Sequence, residues 1–194
     1  MKPIFSILLF VSMCSGCLKN DIVPGYSGIE PVAIIPNSNW PVSSLPAEDS
    51  VFDAASSSAK LNLYAKISFQ GPLNTDLKIT FRIDTALVTE YNNTWANSGG
   101  PGGPGGPRPG GPGGPGGPGG GSQLYVLLPD SAYQHPNLQL TIPAGSQEAV
   151  LPITVYPDKM SSTQNYMLAY TITNAEGCTV ASNFKTMIYA LKVQ

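Results

Sequence analysis

Between Lys60 and Ile83 the chain alternates apolar and polar residues with a period of two, twice over. Leu61, Leu63, Ala65, Ile67 and Phe69 are interleaved with Lys60, Asn62, Tyr64, Lys66 and Ser68, and Leu77, Ile79, Phe81 and Ile83 with Lys78, Thr80 and Arg82. Successive side chains of a strand point to opposite faces, so the pattern dictates strands with one buried face and one wet face. Gly71-Pro72-Leu73-Asn74-Thr75 offers a short connection, which predicts an antiparallel hairpin of the two segments. Strands are also predicted at 32–35, 124–128, 138–142, 149–156, 166–173 and 184–193, with the Pro143-Ala144-Gly145 turn separating two of them. One helix is expected, from Thr85 to Tyr91, with Asp84 placed to cap its first turn. The pattern as a whole predicts an all-β fold: an antiparallel β-sandwich of seven or eight strands with one short helix and a long Gly/Pro-rich loop.

The N-terminus carries a different message. An apolar run from Ile4 to Met13 follows Lys2, and Ser15 and Gly16 precede Cys17. The run is about ten residues, whereas a membrane-spanning helix needs roughly 20, so it is an export signal in form. Small residues before a cysteine are what a lipoprotein signal peptidase requires, although Cys14 occupies the position where Leu is usual. The expected organisation is a signal peptide at 1–16, a lipidated tether at 17–31 attached through Cys17, and a single β-sandwich domain at 32–194 with a disordered insertion at 97–122. Acyl chains on Cys17 would make the outer membrane a partner. Once Cys17 is acylated and Cys14 removed, only Cys178 is left, so no internal disulfide is expected.

The insertion invites a collagen reading that its frame rejects. Gly99 to Gly121 contains 15 Gly, 7 Pro and one Arg, but counting in threes from Gly99 places Arg108 where a triple helix accepts only Gly. With a single charge and no apolar side chain, the tract offers nothing to a core.

The inventory for chemistry is thin. His135 is the only histidine, so neither a zinc site nor a Cys/His or Ser/His pair is supported, and no Gly-x-Ser-x-Gly or phosphate-binding glycine motif occurs. Glu48 with Asp49, and Asp84 with Glu90, are more simply solvated acids than a glycosidase pair. No catalytic residue, metal site or cofactor is assigned, and the chain is not read as an enzyme. The net charge is −2 with no basic cluster, which argues against nucleic acid as a partner. Binding is better supplied, since Trp40, Tyr91, Trp95 and Tyr125 fall in or near predicted loops and aromatic faces suit sugar rings. Tyr91 and Trp95 bracket Asn92-Asn93-Thr94 beside the insertion and are the leading pair.

The segments Leu128-Pro129-Asp130-Ser131-Ala132-Tyr133, LTIPAGSQEAVLPITVYPDKM from Leu140 to Met160, YMLAYTIT and SNFKTMIYALKV carry a resemblance. The chain is similar to a Bacteroidetes surface-lipoprotein domain of unknown function, like the N-terminal domain of a secreted endo-β-N-acetylglucosaminidase, with a Calx-β or immunoglobulin-like sandwich. Cys17-Leu18-Lys19-Asn20-Asp21 and Asp84 to Asn92 follow that family's order. The resemblance implies surface exposure, and it implies that catalysis belongs to a different domain. It lacks the acidic clusters with which Calx-β modules bind calcium. Asp49-Ser50-Val51, Asp84-Thr85-Ala86 and Asp130-Ser131-Ala132 resemble the Bacteroidetes O-glycosylation sequence, which makes Ser50, Thr85 and Ser131 candidate acceptors. The expected function is a surface lipoprotein acting as a glycan-binding or accessory module of polysaccharide utilisation, alongside outer-membrane sugar-uptake proteins. The rival is a structural spacer or assembly subunit with no small ligand.

Overall fold

The structure is a computed structural model that describes residues 28–41, 48–96, 124–135 and 137–194. The expected signal peptide, tether, lipid-attachment residue Cys17 and Gly/Pro insertion lie outside them. The strands are β1 (Val32–Ile34), β2 (Glu48–Phe52), β3 (Ala59–Ser68), β4 (Leu77–Ile83), β5 (Tyr125–Leu127), β6 (Tyr133–Gln134), β7 (Gln139–Ile142), β8 (Glu148–Val155), β9 (Asn165–Ala175), β10 (Thr179–Val180) and β11 (Thr186–Val193). One helix, α1 (Ala86–Tyr91), runs into a π-helical turn at Asn92–Ala96. A five-stranded sheet in the order β10-β1-β3-β8-β6 packs on a six-stranded sheet that runs β2-β11-β9-β4-β7, with β5 also paired to β9. The β-sandwich is as expected.

The pairing within it corrects one expectation. β3 and β4 are not a hairpin: β3 pairs with β1 and β8 in one sheet, and β4 with β7 and β9 in the other. Residues 69–76 form an arch between the layers, with Phe69 and Leu73 packed against the core that the two sheets enclose. An alternating strand satisfies its apolar face by lying against a facing sheet, so the pattern sets the face and leaves the pairing open. β7 and β8 likewise lie in different sheets. Their turn holds Gly145 at φ 79°, and it is tied to the first arch by Gly145 N–H to Leu73 O at 2.8 Å and Ala144 N–H to Asp76 Oδ1 at 2.8 Å.

Inward-facing residues of both sheets form the main core, from Leu61, Leu63, Ala65 and Ile67 across to Leu168, Tyr170, Tyr189 and Leu191. β9 and β11 break the alternation, being buried over Tyr166–Ile172 and Thr186–Leu191 without interruption. The cause is α1, which covers the outer face of the six-stranded sheet. Leu87, Val88 and Tyr91 enclose Met167, Ala169, Ile188 and Ala190 in a second core. Asp84 does not cap this helix: Thr85 is the N-cap and no side chain accepts there. The Asp84 carboxylate is instead engaged by Arg82, at 2.6 Å, and by the Thr171 hydroxyl at 3.4 Å.

Candidate functional site

Three of the four aromatics singled out in the sequence meet on the outer face of the six-stranded sheet. Trp40 lies 6.1 Å from Tyr91, centroid to centroid, and Tyr91 meets Tyr125 edge-on at 5.7 Å. Trp40 is brought there by an isolated antiparallel bridge to Thr186, and Tyr91 by the last turn of α1. β5 delivers Tyr125, in parallel register with Asn165 of β9. The Asn92 amide then fixes it from the far side, donating to Tyr125 O at 2.8 Å and accepting from Tyr125 N–H at 3.0 Å. Trp40 and Tyr91 are buried within the second core, whereas Tyr125 is half-buried and forms the edge of the cluster that reaches solvent. The side chain of Trp95 lies outside the described residues.

The strand registers place a ledge beside this cluster. On β2, Phe52 packs against the main core and Ser50 shares its parity, so Asp49 and Val51 point to the outer face. Asp49 is aligned with Ala190, and Val51 with Lys192. Extending the β11–β9 register one step past Leu191 and Tyr166 sets Lys192 beside Asn165, which is itself aligned with Tyr125. Val51, Lys192, Asn165 and Tyr125 therefore form one row across four strands, with Asp49 and Leu127 in the next. Asp49 and Lys192 are exposed, Val51 is 54% exposed and Leu127 37%. The Tyr125 hydroxyl is pushed up to about 12 by burial first, then by the nearby Asp49 carboxylate and by Tyr91. It is thus a protonated donor at neutral pH. Sequence reasoning did not select Asp49, Asn165 or Lys192 as site residues, because single polar residues at strand ends carry no signal until the parallel pairings of β2 and β5 are known.

The other candidates are scattered. Ser50 is half-buried in β2, while Thr85 and Ser131 are exposed at the start of α1 and in a short 3-10 turn. Cys178 is half-buried beyond Gly177, and burial raises its thiol pKa. His135 packs 6.1 Å from Tyr133. Among the described residues, no three His, Cys, Asp or Glu side chains gather as a metal site, and no helix is long and apolar enough to cross a membrane.

A two-layer sandwich with a helix closing one outer face and an aromatic ledge beside it defines the class as an all-β sandwich domain. The chain belongs to a family described as a "-like, N-terminal domain", whose model matches residues 30–178. Its fold is shared with a candidate carbohydrate binding protein from Bacteroides ovatus, at TM-score 0.53 and 8% identity, over 83% of this chain and 36% of that one. It is also shared with a two-domain protein of unknown function from Bacteroides fragilis, at TM-score 0.53 and 13% identity, over 91% and 51% of the two chains. Bacteroides thetaiotamicron EndoBT-3987, solved with a Man5GlcNAc product, aligns at TM-score 0.49 and 16% identity over 75% and 28%. The chain thus spans about a third to a half of the length of the first two structures. No curated protein matches it.

Proposed function

We propose that this protein is a lipid-anchored surface module that binds glycan in support of polysaccharide utilisation, without catalysis of its own. Acyl chains on Cys17 hold it in the outer membrane facing outward, and outer-membrane sugar-uptake proteins are its natural partners. The observation that carries the reading is the convergence of Tyr125, Tyr91 and Trp40, with Tyr125 turned to solvent beside exposed polar side chains. Sugar sites combine an aromatic face with a few well-placed polar groups. The fold shared with the Bacteroides ovatus candidate carbohydrate binding protein supports the reading. Anchoring through acyl chains suits the task, because each buried methylene adds about 0.8 kcal/mol and two or three chains hold firmly.

A glycan array probed with the full chain in detergent tests the binding. Retention on defined glycans, weakened about tenfold by Tyr125→Ala, is expected. Absence of binding to every glycan would replace this reading with that of a spacer. Membrane fractionation of Cys17→Ser tests the anchor: a normally processed variant still in the outer membrane would refute it.

A further inference from the structure

The two rows of groups at this end of the outer sheet face are chemically mixed in a way that narrows the ligand. Asp49 and Lys192 lie on neighbouring strands, two positions apart in register and on the same face, and neither has an ion-pair partner among the described residues. Each is exposed; the exposed Val51 is aligned with Lys192, and the exposed Leu127 stands at the other end of Asp49's row, beyond the buried Ala190 and Met167. Tyr125 ends the row of Val51, Lys192 and Asn165, at the far side of the sheet face from β2.

Resting on the glycan-binding reading above, we propose that the ledge formed by Asp49, Val51, Lys192, Asn165 and Tyr125 is the sugar site, and that it takes a neutral oligosaccharide segment. A carboxylate accepts two hydroxyls of a vicinal diol, and an ammonium and an amide donate to ring and hydroxyl oxygens. Tyr125 and Val51 supply the apolar surface on which a pyranose face lies. The carboxylate repels uronate, sialate or sulfate groups, while the single amine leaves the ledge with no net charge to attract them. From β2 to β5 the ledge crosses three strand spacings of about 4.8 Å, roughly 14 Å in all, which suits an extended segment better than one ring.

The test is affinity electrophoresis of the full chain in detergent through gels containing α-mannan, soluble starch, xylan or, as the acidic probe, polygalacturonate. Retardation by at least one neutral polysaccharide is expected, with Asp49→Asn and Lys192→Met each weakening it about tenfold. Both side chains point to solvent from the ends of strands, and circular dichroism of each variant reports whether the sandwich is retained. Retardation by polygalacturonate alone, or neutral binding that both folded variants leave intact, overturns the assignment of ledge and ligand class while glycan binding itself stands. If no gel retards the chain, the glycan-binding reading falls with it.

Discussion

Asn39 completes a β-ladder with a side chain, and replacing it separates hydrogen bonding from packing. β11 is flanked by β2 only from Tyr189 onward, and by the Trp40 bridge at Thr186. Between them Ile188 would face no strand. The Asn39 amide fills the gap, accepting from Ile188 N–H at 2.8 Å and donating to Ile188 O at 2.9 Å, while its side chain is buried and Ile188 is fully so. Asn39→Ala strands two buried backbone groups, each costing about 1–3 kcal/mol, so a loss of about 2–6 kcal/mol is expected. Asn39→Asp is the sharper probe. At pH 7 an ionised carboxylate accepts from the N–H but sets its second oxygen against the Ile188 carbonyl, and burial penalises its charge. Both effects raise the folded pKa of the new carboxyl above its unfolded value of about 3.9. The folded state then binds the proton more tightly, so the deficit relative to wild type is greatest above the folded pKa. It shrinks as pH falls towards about 4, where a carboxylic acid donates to the carbonyl as the amide does. Urea unfolding of both variants at pH 7 and pH 4, taken as variant minus wild type at each pH, measures this. A deficit of the aspartate variant that does not change with pH, or an alanine loss below about 0.5 kcal/mol, would show that the amide does not bridge Ile188.

The Tyr170 hydroxyl lies in the main core with no hydrogen-bond partner among the described residues, and burial drives its pKa far upward. Tyr170→Phe is therefore expected to stabilise the fold by about 1 kcal/mol in urea unfolding, and a loss of that size would refute the reasoning. Of the three candidate glycosylation acceptors, Thr85 and Ser131 are exposed and Ser50 is half-buried. Intact-mass measurement on protein from the native host is expected to show glycan that disappears in a Thr85→Ala/Ser131→Ala double variant, and a mass of peptide plus lipid alone would remove the proposal.

How much of this was legible follows from which faces each strand presents. β3 and β4 were readable because each has one wet face, and α1 because an apolar stripe at Leu87, Val88 and Tyr91 follows a turn. β2, β6 and β10 were not: the latter two have two residues each, and β2 reads Glu-Asp-Ser-Val-Phe, with its apolar residues at one end. Its strand character comes from a parallel partner far along the chain. The same non-locality hid the ledge. Tyr91 and Tyr125 stood out as aromatics, but their meeting, and the approach of Asp49, depend on pairings that period-two patterning does not encode.

That distant partnership also orders events in time. Glu48–Phe52 can add to the sheet only beside Tyr189–Val193, roughly 140 residues later, and β1 waits for β10 on its outer side as well as β3. Gln194, just past β11, is itself stitched in, donating from N–H to Phe52 O at 3.0 Å and accepting from Ala54 N–H at 3.0 Å. A ribosome must therefore release β11 before β2 has a strand to close upon. Until that moment the nascent polypeptide has an unfinished six-stranded sheet, open along the edge that β11 and β2 complete.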